Sequence, residues 1–433
     1  MKAFHSIFKT TLGVLLVGLF YISSASGQSN YLSRLNRLLG DGLLRDQFSP
    51  PVASRVYLYP NLAAYQAIHQ DSIWKFLNGF SAISSPDIKD YDANYTAAWC
   101  FVSLASNLLF SGKEFQMEAQ PLLDSLAMTC SAKILEKSRA YADEIVKQVM
   151  LRAGNDGYKQ RLTYLRYTVS EGDTSYQLTP PNFSEPVEPH WGTIKTLVID
   201  NHWAYENEIP NVFSLDPESN FQKELKEVYV LSQKNTDSTL NIARHWDCNP
   251  IQLGMSGHLM QFGFRMTPSQ HWMTVLCDLA DTKQITIQDL SMLFAKLGVA
   301  CFDAFIDCWY LKYHFNSIRP VSVITKYIQS DWKPAIETPA FPEYPSGHSL
   351  VSAAATVILS NYFGDDFSYT DRTQTVFSLP ESSFSSFKQA AIQAGESRIL
   401  GGIHFRKAVT DGFKRGEQVG KQVLKNWSHL KTR

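Results

Sequence analysis

Apolar residues recur every three to four positions over most of this chain, a period that permits helices and excludes most sheet architectures. Ala63, Ala64, Ala67 and Ile68 form one such stripe, and Ala142, Ile145, Val146, Val149, Met150 and Ala153 a longer one. The same spacing runs through 97–110, 119–128, 290–315, 350–363, 387–400 and 409–427. Thr286 followed by Asp289 reads as the start of the helix over 290–315. Strand-like alternation is scarce; Thr193–Asp200, T-I-K-T-L-V-I-D, is its best instance. Segment 154–190 carries Pro180, Pro181, Pro186 and Pro189, and 328–348 carries Pro334, Pro339, Pro342 and Pro345, so both read as long loops. The expected fold is all-α: helical bundles packed together, with long irregular loops carrying the functional groups. Aromatic residues, at 13%, supply large core side chains, which excludes a disordered chain. A net charge of −1 gives no electrostatic basis for nucleic-acid binding.

The first 27 residues have the layout of a secretory signal: Lys2 and Lys9, an apolar run from Leu12 to Ile22, then small residues with Ala25 and Gly27 at the expected cleavage offsets. The run is too short to span a bilayer, which takes about 20 residues. The mature chain is therefore expected outside the cell or in a periplasm, with no stable membrane span. Residues 28–190 read as an N-terminal helical layer and linker and 191–433 as a C-terminal helical domain, with 50–190 packing onto it as one compact unit. Six cysteines, Cys100, Cys130, Cys248, Cys277, Cys301 and Cys308, are sparse for an exported chain. Mostly buried thiols with at most one bridge are expected. Cys301 and Cys308, seven apart on one helix, sit about 10 Å from each other and cannot pair.

Three polar clusters interrupt the helical pattern in the last third: K-Y-H-F-N-S-I-R-P with Lys312 and Arg319, Y-P-S-G-H-S with Ser346, Gly347 and His348, and S-R-I-L-G-G-I-H with Arg398 and His404. Taken singly, each has a plain structural reading, and Ser256-Gly257-His258 repeats part of the second box without its proline. Together they suit an oxyanion. Two guanidiniums offer paired donors and an ammonium offers a point charge. Ser346 and Gly347 stand at the start of an apolar helix, whose first amides and dipole favour an anion. His348 and His404 supply groups that titrate near neutrality for bond formation and proton transfer.

The order K-x6-R-P, P-S-G-H, S-R-x5-H resembles the superfamily of type 2 phosphatidic acid phosphatases, bacterial acid phosphatases and vanadium-dependent haloperoxidases. Ser54-Arg55-Val56-Tyr57, Pro189-His190-Trp191-Gly192, the stretch from Trp246 through His271-Trp272, Asp303-Ala304-Phe305 and F-P-E-Y-P-S-G-H-S are similar to exported bacterial vanadium haloperoxidases, over roughly residues 50–425. The resemblance implies vanadate as cofactor, or phosphate in the same site of a phosphatase. Lys312, Arg319 and Arg398 would hold the equatorial oxygens, and Ser346 and Gly347 would donate to them. His404 would be the axial ligand and His348 the acid–base group. The implied activity is oxidation of halide by hydrogen peroxide. The alternatives are phosphate-ester hydrolysis through a phosphohistidine at His404, and a non-catalytic exported scaffold.

One position departs from that pattern. The family usually has Asp four residues after the axial histidine, and Ala408 stands there. Asp411, seven residues on, is a distant substitute, which leaves the far nitrogen of His404 to a backbone carbonyl or without a partner. Asp303 and Asp307 lie four apart in an otherwise apolar helix. Asp303 is expected to fix Arg319 or Arg398, whereas Asp307 is equally consistent with a solvent-facing position. His245, His258, His271 and His314 are expected to pack without a chemical role.

Overall fold

A computed structural model describes residues 31–430, apart from 72, 171, 200–208, 251, 257, 258 and 264. The signal-like segment 1–27 lies outside the described residues, as do Gly257 and His258. Among the described residues there are thirteen α-helices and two small two-stranded hairpins. The N-terminal helices are α1 (Tyr31–Asp46), α2 (Pro50–His69), α3 (Ala93–Leu108), α4 (Gly112–Ala127) and α5 (Ala132–Gly154). After a long loop come α6 (Asn220–Gln233), α7 (Asp237–His245), the hairpin β1 (Gln252–Ser256) and β2 (Leu259–Gly263), and α8 (Pro268–Thr282). The remainder is α9 (Ile287–Phe315), α10 (Pro320–Tyr327), α11 (Gly347–Phe363), the hairpin β3 (Tyr369–Asp371) and β4 (Ser382–Phe384), α12 (Phe387–Leu400) and α13 (Arg406–Ser428). No described helix is long and apolar enough to cross a membrane.

Helix α9 is the hub. Thr286 caps it, its hydroxyl accepting from the Asp289 amide at 3.1 Å, and Asn316 ends it in the left-handed conformation at φ 49°. Twenty of its 29 residues are buried, a distribution that fits a helix surrounded by others. One apolar cluster joins α2 and α3 to α9 and α11, so both halves of the chain share a core. All six cysteines are free thiols, and all but Cys130 are buried.

Helix α13 lies directly on α11. A Cβ at Gly416 would stand 2.1 Å from the Leu350 carbonyl oxygen, and one at Gly412 would stand 2.8 Å from that of Ser346. Only glycine lets the two backbones approach so closely. This contact sets the chain just before α13, which includes His404, against the start of α11, which carries Ser346, Gly347 and His348.

The expected strand over Thr193–Asp200 does not form. Trp191–Thr193 is a single 3-10 turn, and the chain from 194 to 199 is irregular. The reason lies in Asp303. Its carboxylate accepts from the backbone amides of Leu197, Val198 and Ile199 at 2.8–3.2 Å, taking the hydrogens that a neighbouring strand would have taken. Asp303 therefore holds this loop and does not fix Arg319 or Arg398. Burial lifts its carboxyl to about 6, against the pull of those amides. Asp307 is buried as well, and it pairs with the Arg415 guanidinium, Nη2 to Oδ1 at 2.8 Å. Asp303→Ala should leave three buried amides without acceptors and lower stability by about 3 kcal/mol or more. A denaturant midpoint close to that of the wild type would contradict this assignment.

Candidate active site

The loop 328–346 folds over the C-terminal end of α9, and two buried cations, Lys312 and Arg319, hold it there. Lys312, on the last turn of α9, donates to the carbonyls of Pro342 and Glu343, both at 3.0 Å, and of Pro345 at 2.5 Å. Burial pulls its ammonium down to about 7. Lys312 thus comes to the expected place, but its three hydrogens are engaged by the loop. Arg319, which precedes Pro320 at the start of α10, donates through Nε to the Phe341 carbonyl at 2.9 Å and through Nη1 to that of Ile403 at 2.7 Å. Arg398, in the last turn of α12, donates to the Trp246 carbonyl and faces Asp247 at 3.8 Å. Desolvation lowers the pKa of both guanidiniums.

After α12 the chain turns at Gly402, whose φ of 80° suits glycine, and delivers His404 to the same place. Arg319 Nη1 lies 3.2 Å from His404 Nε2, and Arg398 Nη1 lies 3.4 Å from His348 Nε2. A guanidinium only donates, so both Nε2 atoms are acceptors with their lone pairs turned toward the cations. Burial, with the nearby Arg319 and Lys312, holds His404 well below 6.5 and therefore neutral. His348 is depressed likewise, by burial and then by Arg398. Ser346 caps α11, its Oγ accepting from the Ser349 amide at 3.4 Å and from the Ser349 hydroxyl at 3.0 Å. Its own hydroxyl hydrogen is left to give. Gly347 and His348 are the first residues of α11, where amides have no intrahelical acceptor.

The far nitrogen of His404 does have a carboxylate. Glu343 Oε1 lies 2.7 Å from Nδ1 and also accepts from the Phe405 amide at 2.9 Å. Because Nε2 is an acceptor, Nδ1 carries the hydrogen and donates it to Glu343. That fixes the tautomer which presents a lone pair to an anion. The idea of an unpartnered His404 is thus overturned. The carboxylate comes from the loop before the second box, three residues ahead of Ser346, instead of from position 408. Asp411 takes no part: it accepts from the Tyr344 hydroxyl at 2.9 Å and from Lys407 at 2.7 Å. Ala408 offers only its carbonyl, to the Ser346 amide at 3.0 Å.

Glu343→Ala should weaken binding of an oxyanion at His404 by about 10- to 100-fold, whereas Ala408→Asp should bring no gain and a lower melting temperature. Vanadate titrations and thermal melts of both variants check this. Burial lifts Glu343 from its ordinary 4.5 to about 7, so the folded state binds that proton more tightly than the unfolded chain does. The stability of the wild type relative to Glu343→Gln should therefore fall as pH rises from about 4.5 through 7 and level off above.

A cavity reaches this site, with Phe305, Trp309 and Phe341 on its apolar wall and His348, Arg398 and His404 at its base. Arg319 Nη2 and Arg398 Nε are buried and have no acceptor among the described residues. Buried charged donors are rarely left so, and an anion bound at the guanidiniums would match the two.

Residues 292–432 match the family model of the second helical-bundle domain of vanadium chloroperoxidase. A stretch of 101 residues is 34% identical to the vanadium chloroperoxidase of Curvularia inaequalis; it spans only 16% of that protein's length. A solved structure described as the first bacterial vanadium-dependent iodoperoxidase is 36% identical, with a TM-score of 0.83 over 92% of this chain and 96% of that one. The chain belongs to the vanadium-dependent haloperoxidase family. A holo-type bacterial vanadium-dependent chloroperoxidase, 14% identical, shares the fold with a TM-score of 0.66 over 88% of this chain and 93% of that one. The family's cofactor fits the residues present: the lone pair of a neutral imidazole, two buried guanidiniums with unmatched donors, and the first amides of α11. Glu343, Asp247 and the Trp246 carbonyl are the parts of this site that the three boxes do not contain.

Proposed function

We propose that the chain is a vanadate-dependent haloperoxidase that oxidises a halide, iodide before bromide and chloride, with hydrogen peroxide. The observation that carries this reading is a pair of buried guanidiniums with unmatched donors, one of them beside the lone pair of a neutral His404 whose tautomer Glu343 fixes. When bound, vanadate supplies a Lewis-acidic centre that activates peroxide toward the halide. His404 Nε2 would hold it. Arg319, Arg398, the Ser346 hydroxyl and the amides at the start of α11 would hold its oxygens, and Lys312 would keep the loop in place and add charge. His348, neutral at rest, would take a proton from incoming hydrogen peroxide and return it as water leaves, so that peroxide, halide and one proton give hypohalous acid and water.

The wall of Phe305, Trp309 and Phe341 favours the halide that loses least on leaving water, which is the large and weakly hydrated iodide. The 36% identical relative is described as an iodoperoxidase, which supports the same order. Export is part of the proposal and rests on the signal-like residues 1–27. Rates of iodide, bromide and chloride oxidation by the vanadate-loaded protein test the reading, with iodide expected to be fastest. Hydrolysis of a phosphate monoester with no oxidation of any halide would replace it by the phosphatase reading. Inactivity in both assays would leave the non-catalytic scaffold.

A further inference from the structure

A second group of ligand-type side chains lies behind the wall of the oxyanion cavity. We propose that His245, His271 and Asp371 form a structural site for a divalent transition-metal ion of the zinc class. The three residues come from separate segments: His245 ends α7, His271 stands in the first turn of α8, and Asp371 ends β3. They are 3%, 0% and 1% exposed, and none of them lines the oxyanion cavity. Both imidazoles turn Nε2 toward one carboxylate oxygen, Asp371 Oδ2, at 3.1 Å from His245 and 2.6 Å from His271. One ligand atom from each residue falls within 4.8 Å of the others.

The surroundings are those of ligating groups. Asp371 Oδ1 is occupied by the Thr373 amide at 2.9 Å and the Thr373 hydroxyl at 2.7 Å, which leaves Oδ2 as a monodentate donor. The outer nitrogens have partners of their own. Ser382 Oγ stands 3.4 Å from His245 Nδ1, and Cys248 Sγ stands 3.8 Å from His271 Nδ1. Gln374 Nε2, 3.3 Å from the same Nδ1, exchanges places with its oxygen on rotation of the amide. Acceptors on the far nitrogens of two histidines are the usual support of a metal-bound pair. Zinc bonds of about 2.0–2.2 Å need ligand atoms roughly 3 Å apart. The His271 ring has to draw back from Asp371, and the two Nε2 atoms, within 4.8 Å of each other, have to settle at that spacing. Thr373 Oγ, 3.1 Å from His271 Nε2, stands where a fourth ligand or a bound water belongs. The ion takes the place of the two Nε2 protons and fastens α7, α8 and β3 together.

It also reaches the oxyanion site at one remove. The His271 ring stacks on Trp246 at 4.6 Å and 10°, and the Trp246 carbonyl receives Arg398. Fixing His271 thus fixes the acceptor that orients Arg398.

Elemental analysis of the full-length wild-type protein, incubated with zinc and then desalted, tests this without any variant. One zinc per chain is expected. Chelation should then lower the melting temperature, and zinc should restore it where vanadate does not. His245→Gln should lose the metal and weaken vanadate binding by about ten-fold through Arg398. Substoichiometric zinc, with a melting temperature indifferent to chelator, would overturn the proposal and leave an imidazolium–carboxylate pair that holds only protons. Because the zinc content is read without vanadate, this outcome would not bear on the haloperoxidase reading.

Discussion

Exchange of His404 for alanine will abolish tight vanadate binding, whereas exchange of His348 will leave the binding and slow turnover by about 10²- to 10⁴-fold. The two imidazoles are alike in being neutral and in turning Nε2 toward a guanidinium. They differ in what stands behind them. His404 has Glu343 on Nδ1, which fixes its tautomer and raises its basicity, as befits a ligand. His348 has no such carboxylate among its described contacts and lines the cavity through which peroxide arrives, as befits a proton carrier. Vanadate titration and turnover of the two variants, measured side by side, separate the roles. Equal loss of vanadate in both would show that the roles are wrongly divided.

Arg398→Ala should lower vanadate affinity by roughly two orders of magnitude or more. The guanidinium is 1% exposed, donates to the Trp246 carbonyl, lies 3.8 Å from Asp247 and has an unmatched Nε. Its removal takes away a donor to the anion and withdraws a cation from the neighbourhood of a buried carboxylate. Truncating one partner of a buried charge pair costs about 3–5 kcal/mol, and each 1.4 kcal/mol is about ten-fold in affinity. Arg398→Lys, which retains the charge but not the planar fork, should fall between alanine and the wild type. Unchanged affinity in the alanine variant, measured by calorimetry, would remove Arg398 from the site.

The helices that carry the three boxes were readable because their apolar period is long and unbroken: 290–315, 350–363, 387–400 and 409–427 all lie in observed helices. So were the cations and histidines, since the order of the boxes is local in sequence. What escaped was set by contacts distant in sequence. Nothing in T-I-K-T-L-V-I-D announces that the amides of 197–199 are taken by a carboxylate more than a hundred residues away. An aspartate in an apolar helix near three cations therefore points to a guanidinium, whereas Asp303 holds backbone amides. Glu343 was in view inside F-P-E-Y-P-S-G-H-S, but a search for a carboxylate at a helical offset from His404 looks toward 408 and 411, on α13. The partner comes instead from the loop on the opposite side of the ring. Trp246 and Asp247 reach Arg398 across about 150 residues, in a part of the chain where short helices such as α7 give a weaker periodic signal.

Activity measured against added vanadate tests the central claim most directly. Protein freed of vanadate should not oxidise iodide with hydrogen peroxide. Stepwise addition should restore the reaction, saturating at one vanadate per chain, and inorganic phosphate should compete for the site. Iodide oxidation that is indifferent to vanadate, or phosphate-ester hydrolysis that vanadate only inhibits, would contradict the account.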